Sequence, residues 1–143
     1  MQRASAREKA FLLLFENSFN GYSLNKIIET KSLLNKRRCS FDAFTSELFN
    51  GVKKNEEKLD SLISSCSVRW SKDRLSRISL CILRVALYEI LFREDIPENV
   101  SASEAVNLAK KYGTDVEYTF VNGILGTVCS KSKKKDLLVG CVG

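Results

Sequence analysis

Residues 78–92, ISLCILRVALYEILF, constrain the fold of this chain more than any other segment. On a helix they are apolar nearly all round, and Arg84 and Glu89 are their only charges. A helix of this kind is buried at the centre of a bundle. The segment is shorter than the roughly 20 apolar residues of a bilayer span, and charges interrupt it. Inside such a helix Arg84 needs a partner or a route to the surface, and Glu89 and Glu104 are candidate partners.

The rest of the chain carries the patterns of further helices. Proline occurs only once in the 143 residues, at Pro97, and no sustained strand-type alternation is found. The segment SASE at residues 101–104 fits a capping box that opens a helix, and Gly113 fits a left-handed cap that closes it. The predicted helices besides the central one cover about residues 4–19, 23–34, 41–65 with a kink or break at Gly51, 101–112 and 115–130.

These patterns predict an all-α fold of about six or seven helices. We expect one helical domain over residues 1–130 and a basic, flexible tail over residues 131–143. No apolar run reaches the roughly 18 residues of a membrane span, and the N-terminus lacks the small-residue cleavage site of a signal peptide. We therefore expect a cytoplasmic protein without a membrane partner.

The residue types argue against catalysis. The chain has no histidine, which is the commonest general base and metal ligand. Its five cysteines are too scattered for a zinc site or a disulfide framework. Glycine-rich phosphate loops and nucleophile motifs are also missing from the sequence. We therefore predict that the protein is not an enzyme and has no catalytic residues, no metal and no cofactor.

The balance of charge favours a polyanionic partner. The formal net charge is +6, from 23 Lys and Arg against 17 Asp and Glu, which favours nucleic acid before membrane. Arg69 and Lys72 flank the aromatic Trp70, and single-stranded nucleic acid is held by cations and by stacking on aromatic rings. In the alternative interpretation, Trp70 is an aromatic residue of the core or its rim, and its neighbours only solubilise the protein.

Two arginines in the first predicted helix are placed unusually. The apolar stripe of this helix consists of Ala6, Ala10, Phe11, Leu14 and Phe15. Arg3 and Arg7 lie in line with that stripe at the N-terminal end, where the helix dipole favours anions over cations. We therefore expect both guanidinium groups at the rim of the core, reaching past it toward something anionic.

A set of motifs goes beyond these patterns. ILRVALYE, the DIP turn, EAVNLAKKYG and FVNGIL follow one another in the C-terminal part, and RASAREKAFLLLF opens the chain. In these motifs the sequence resembles the bacterial transcription antitermination factor NusB family, over nearly the whole chain to about Cys129. The resemblance implies a NusB-like helical domain in two packed subdomains. It also implies binding of the boxA element of ribosomal RNA leader transcripts as a heterodimer with the ribosomal protein NusE. With other Nus factors, this heterodimer joins RNA polymerase and helps it read through terminators.

The resemblance also implies which residues form the binding surfaces. For RNA binding these are Arg3, Arg7, Arg69, Lys72 and Arg77. For partner binding they are Phe15, Phe19, Tyr112 and Val116. Gln2 and Ser5 interrupt the arginine-rich N-terminus typical of the family, so we expect low RNA affinity without the partner. The sequence leaves the choice between monomer and homodimer open.

Other interpretations stay open at this point. The chain could be a noncatalytic helical adaptor that binds protein and has only nonspecific RNA affinity. A relic of the NusB-like domain found fused to RNA methyltransferases ranks last, because no cofactor loop is present. Gly123 within FVNGIL and Gly126 directly after it could allow close approach of a neighbouring helix while Asn122 bonds to backbone. Alternatively, Asn122 and Phe120 could line a binding surface.

Overall fold

The computed structural model describes residues 3–20, 43–66 and 76–130, and these residues form six α-helices with no strand among them. The helices are α1 (Arg3–Asn20), α2 (Ala43–Lys54), α3 (Glu56–Cys66), α4 (Arg77–Phe92), α5 (Glu98–Tyr112) and α6 (Asp115–Ser130). The all-α prediction is confirmed. The predicted helix over 23–34, the group around Trp70 and the basic tail over 131–143 lie outside the described residues. None of the six helices is long and apolar enough to cross a membrane.

Helix α4 is the centre of the bundle, as its sequence predicts. Leu83, Leu87 and Ile90 are completely buried, and α4 packs against all five other described helices. The Ser76 hydroxyl caps its N-terminus by accepting a hydrogen bond from the backbone N–H of Ser79 at 3.1 Å. One hydrophobic cluster includes side chains from all six helices. Burial of this shared apolar surface is the main force that holds the bundle together.

Arg84 has a partner, but not either of the predicted ones. Its guanidinium makes two hydrogen bonds to Asp60 of α3, at 2.8 and 2.9 Å, and an ion pair with Glu56 at 3.3 Å. Glu89 lies five residues further along α4, which places it about 140° away round the helix. Arg84 and Glu89 therefore face different helices, and the prediction of Glu89 or Glu104 as partner was wrong.

The helical stretch is interrupted at Asn55, between α2 and α3, and not at the predicted Gly51. The Asn55 side chain donates to the carbonyl of Gly51 at 2.8 Å. Gly51 itself is helical and faces the ring of Tyr88. A Cβ added at Gly51 would lie 2.3 Å from a carbon of that ring. The glycine therefore provides space for an aromatic side chain from α4 rather than a helix break.

Both predicted caps of α5 were also wrong. The helix begins one turn earlier than predicted, after Pro97, and the buried Ser101 lies inside it. Its hydroxyl donates to the carboxylate of Glu89 instead of capping the helix. Gly113 has φ −108° and ψ −172°, which is extended and not left-handed backbone. Ser101 faces the core, so its hydroxyl bonds to Glu89 of α4 and not to the backbone at the start of its own helix.

The FVNGIL segment lies in α6, between the core and an open groove. Phe120 is 1% exposed, so it cannot line a binding surface. Asn122 is exposed and lines a groove between α5 and α6. A Cβ added at Gly126 would meet nothing within 4 Å. Close helix approach is therefore not the reason for glycine at residue 126.

Candidate RNA- and partner-binding surfaces

Arg7 is buried and forms an ion pair with a carboxylate in the core. Its Nε donates to Oε2 of Glu89 at 2.7 Å, and the two residues are 5% and 0% exposed. The Ser101 hydroxyl donates to the other carboxylate oxygen at 3.0 Å. This network joins α1, α4 and α5. Its geometry satisfies both charges, which is the condition under which a buried ion pair is tolerated.

The inward direction of Arg7 differs from the sequence-based expectation. We expected its guanidinium to reach beyond the core, but the side chain turns inward to Glu89. The prediction that Arg7 lies in line with the apolar stripe of α1 was correct. A position on that stripe faces the core, and α4 supplies a carboxylate there. Arg7 therefore acts as a link between helices in this structure.

Arg3 lies at the rim, as expected, within a group of charged residues around one aromatic ring. This group, the Arg3 cluster, consists of Arg3, Phe44, Glu47, Arg93 and Asp95. Nη2 of Arg3 lies 3.4 Å from Oδ2 of Asp95. Arg93 binds Asp95 through two hydrogen bonds of 3.0 Å and also pairs with Glu47. The Cζ atoms of Arg3 and Arg93 lie 5.1 and 5.2 Å from the centroid of the Phe44 ring.

The electrostatics of the cluster follow from these contacts. Hydrogen bonds from Arg93 hold the pKa of the Asp95 carboxyl well below its usual range, and those to Asp95 and Glu47 raise the pKa of Arg93. Arg7 also approaches the Phe44 ring, at 5.7 Å. Guanidinium groups within about 6 Å of a ring centroid are attracted by its quadrupole. The ring and the carboxylates thus hold several cations at one edge of the bundle.

Arg77, the other predicted RNA-binding residue that the structure describes, lies far from Arg3. It is exposed at the start of α4, and its Nη1 donates to the carbonyl of Ser18 at 3.1 Å. Ser18 follows Arg3 by 15 residues on α1, which corresponds to about 22 Å along the helix. Arg69 and Lys72 lie outside the described residues. The structure therefore does not bring Arg3 and Arg77 into one compact patch.

The predicted partner-binding residues come together in part. The rings of Phe15 and Tyr112 both contact Phe11, with centroid distances of 6.2 and 5.2 Å. Val116 follows in the first turn of α6 and is 46% exposed. The side chain of Phe19 lies outside the described part of α1. Leu12, which the prediction missed, is 40% exposed.

Leu12 belongs to the same face of α1 as its aromatic neighbour. Residues three apart on a helix lie side by side, so Leu12 adjoins Phe15. We call Leu12, Phe15 and Tyr112, together with Val116, which follows Tyr112 by four residues in the chain, the aromatic surface. The signal for Leu12 was present in the sequence, because it is an apolar residue outside the stripe that faces the core.

An ion pair fixes the end of α5 to α1 beside the aromatic surface. Oε2 of Glu8 accepts hydrogen bonds from Nζ of Lys111 at 2.6 Å and from the Tyr112 hydroxyl at 2.7 Å. These bonds lower the pKa of Glu8. The contacts orient the Tyr112 ring against α1. They join residues more than 100 positions apart, so no local pattern could have predicted them.

The sequence analysis also missed the members of the Arg3 cluster other than Arg3 itself. Asp95 opens the DIP turn and Arg93 lies two residues before it, and the sequence analysis used this turn only as one of the motifs of the family. Two opposite charges within three residues are a signal that could have drawn attention to this turn. Phe44 carries no such signal, because only the packing of α2 against α1 places its ring beneath the arginines.

The fold defines an all-α class of protein, a bundle built round one buried helix, and a solved structure shares it. T. maritima NusB is similar with a TM-score of 0.78 and 33% identity, and 96% of each chain is covered. A chain in the crystal structure of antitermination factors NusB and NusE in complex with double-stranded RNA is similar with a TM-score of 0.72 and 25% identity. That likeness covers 90% of this chain and 96% of the other.

The family follows from the sequence comparisons. Residues 4–130 match the model of the NusB family. The chain is also 40% identical to the transcription antitermination protein NusB of Clostridium acetobutylicum over 135 residues, which cover 94% of this chain and all of that relative. This chain belongs to the NusB family, and the resemblance seen in its motifs is confirmed.

Proposed function

We propose that this protein is a transcription antitermination factor that binds the boxA element of ribosomal RNA leader transcripts as a heterodimer with NusE. Together with other Nus factors it helps RNA polymerase read through terminators, acting without catalysis in the cytoplasm, where bacterial transcription takes place. The family match over residues 4–130 is the observation that carries the proposal. The likeness to a chain in the solved complex of NusB, NusE and RNA supports the choice of partners.

The proposed RNA surface begins at Arg3, which is half exposed over the Phe44 ring. Guanidinium groups donate to phosphate oxygens in a fixed fork geometry, and phosphate contacts set the position of a protein on nucleic acid. Arg77 lies about one helix length away. With Arg69 and Lys72, which lie outside the described residues, it completes the proposed set of RNA-binding residues. Arg7 has a positioning role here, because its buried ion pair fixes the helix that carries Arg3.

The proposed NusE-binding surface is the aromatic surface. Apolar and aromatic side chains with a polar tip are enriched at the centres of protein interfaces. Here Phe15 and Tyr112 are held in place by Phe11 and by the Glu8 hydrogen bond. A pre-positioned surface loses little side-chain entropy on binding.

Fluorescence anisotropy with a short boxA-like RNA and a scrambled control tests the RNA-binding part. The measurement is made with and without NusE and at several salt concentrations. We expect tighter and sequence-selective binding when NusE is present. About five phosphate contacts to a single strand would give a slope near −3.5 for log affinity against log salt concentration. Equal binding to both RNAs with NusE present would favour the adaptor with nonspecific RNA affinity.

A matched pair of substitutions tests the partner-binding part. Val116→Glu places a charge on the aromatic surface, in the first turn of α6, and Val100→Glu places one in the first turn of α5, away from Tyr112 at the end of that helix. Both valines are exposed, at 46% and 37%, so both variants should fold. We expect Val116→Glu to lose NusE binding, measured by isothermal titration calorimetry, and Val100→Glu to bind as the unmodified protein does. Equal affinities would remove Val116 from the interface.

A further inference from the structure

One carboxylate oxygen in the Arg3 cluster lies between two guanidinium groups. Oδ2 of Asp95 is 3.0 Å from Nη2 of Arg93 and 3.4 Å from Nη2 of Arg3. Two converging guanidinium groups around one anionic oxygen form the arrangement that proteins use for phosphate. We propose that Arg3 and Arg93 bind one phosphodiester of the RNA backbone and that Asp95 occupies this site in the free protein. The inference rests on the RNA binding proposed above.

The two cations are held in position independently of Asp95. Both lie over the Phe44 ring, with their Cζ atoms 5.1 and 5.2 Å from its centroid. Arg93 also pairs with Glu47, and its side chain is only 21% exposed. When the Asp95 side chain rotates away, the ring and Glu47 continue to hold Arg93. A phosphate would therefore find a site whose geometry already exists.

Asp95 is the residue of the cluster whose side chain can rotate out of the site between Arg3 and Arg93. Its side chain is 53% exposed, in the turn between α4 and α5. The next residue, Ile96, is buried, and its N–H donates to the carbonyl of Arg93 at 3.3 Å, which anchors the backbone of the turn. Only a side-chain rotation is needed to vacate the site. The rotation breaks the two hydrogen bonds to Arg93, and phosphate oxygens that accept from Arg3 and Arg93 in their place offset this loss.

Displacement of Asp95 also changes the charge of the surface. Three arginines approach the Phe44 ring, and three carboxylates pair with them. The arginines are Arg3, Arg7 and Arg93, and the carboxylates are Asp95, Glu89 and Glu47. In the free protein this edge is therefore close to neutral. A phosphate on a strand brings further backbone contacts and releases counterions, so an RNA strand can replace Asp95 where a weakly held anion cannot. The carboxylate thus reduces nonspecific attraction to anions.

Neutralising Asp95 tests the inference by anisotropy with boxA-like RNA and NusE. The matched control is Glu94→Gln, which changes the net charge equally one residue away, at an exposed glutamate without an ion pair among the described residues. We expect Asp95→Asn to bind RNA about twofold to fivefold more tightly than Glu94→Gln, from the strength of an exposed ion pair. In protein that carries both Arg3→Ala and Arg93→Ala, Asp95→Asn should have no effect beyond that of Glu94→Gln.

The outcomes separate this inference from the function on which it rests. If the unmodified protein binds RNA but Asp95→Asn equals Glu94→Gln, only net charge matters and the inference fails alone. If no variant binds RNA, both proposals fail. A third arm follows the Nε–H resonance of Arg93 by NMR. RNA should shift it, whereas a shift of the same size with inorganic phosphate alone, at equal ionic strength, would reveal a small-anion site and overturn the assignment to RNA.

Discussion

Truncation of Arg7 should destabilise the protein far more than truncation of Arg3, although both belong to the predicted RNA-binding set. Arg7→Ala removes the cation from a network in which the Glu89 carboxylate is completely buried. Ser101 would then be its only remaining hydrogen-bond partner within the network. Arg3→Ala removes a half-exposed side chain whose partner Asp95 is also half exposed and keeps its bonds to Arg93. Water can solvate the charges that remain in the second case but not in the first.

The magnitude follows from the burial of this pair. Removing one partner of a buried ion pair costs about 3–5 kcal/mol. The entropy of unfolding for 143 residues is about 0.3 kcal/mol/K. Arg7→Ala should therefore lower the Tm by about 10 to 17 °C. Urea unfolding followed by far-ultraviolet circular dichroism measures the free-energy difference directly.

A double variant separates the unpaired charge from simple loss of packing. In Arg7→Met with Glu89→Gln, both charges are gone and the amide oxygen still accepts from Ser101. Replacing a buried ion pair by hydrophobic residues of similar volume is often neutral. The neutral amide that Glu89→Gln introduces costs less to bury than the unpaired carboxylate of Arg7→Ala, so this protein should recover more than half of the stability lost in Arg7→Ala. The mechanism is wrong if the double variant is no more stable than the single one.

The RNA measurement completes the test. RNA affinity of Arg7→Ala is measured at a temperature well below the Tm of this variant. The affinity should fall only to the extent that loss of the buried ion pair moves Arg3 on α1. The placement of Arg7 in the core is refuted if Arg7→Ala has the same free energy of unfolding as the unmodified protein and yet loses as much RNA affinity as Arg3→Ala. That result would mean that the guanidinium is in solvent and contacts RNA directly.

Further predictions concern packing, pH and thiol chemistry. Gly51→Ala should destabilise the protein by about 1–2 kcal/mol, because the new methyl group overlaps the ring of Tyr88. Gly126→Ala should stabilise it by up to about 1 kcal/mol, because alanine has the higher helix propensity. Urea unfolding measures both differences. Folding lowers the pKa of Glu8 from 4.5, so its stabilising contribution is present above that pH and lost as the pH falls through the folded pKa. The stability difference from Glu8→Gln should therefore shrink between pH 7 and pH 3, and an unchanged difference would contradict the assignment. Burial raises the pKa of Cys81 to about 11, so brief alkylation at pH 8 followed by mass spectrometry should label the less buried Cys129 before Cys81.

Some features of this protein could be predicted because their causes are local in the sequence. An unbroken apolar surface over residues 78–92 requires burial whatever surrounds it, and α4 is buried. The bounds of α6, residues 115–130, were predicted as found. The motifs that revealed the family are likewise contiguous stretches of sequence. For the same reason Arg3 and Arg7 were correctly placed in line with the apolar stripe of α1.

What the sequence could not predict are choices made between distant segments. The pattern showed that Arg84 needs a partner, and a spacing of five residues already placed Glu89 on another face of the same helix. That Asp60 is the partner was decided only when α3 packed against α4. A glycine that admits a ring looks the same in sequence as a glycine that breaks a helix, which is why Gly51 was misinterpreted. Ser101 could either cap a helix locally or bond to a buried carboxylate, and burial of Glu89 decided between them.

The candidate site shows the same division. The sequence alone determined a basic, helical, NusB-like chain with an arginine at the exposed start of α1. Only the tertiary structure decided that Arg7 turns inward to Glu89 while Arg3 stays at the rim beside Asp95. The physical reason is that a charge finds its partner through distance and burial, and both are properties of the packed chain. Residues 82 and 92 positions apart acquire those properties only when α1 packs beside α4 and the turn that follows it.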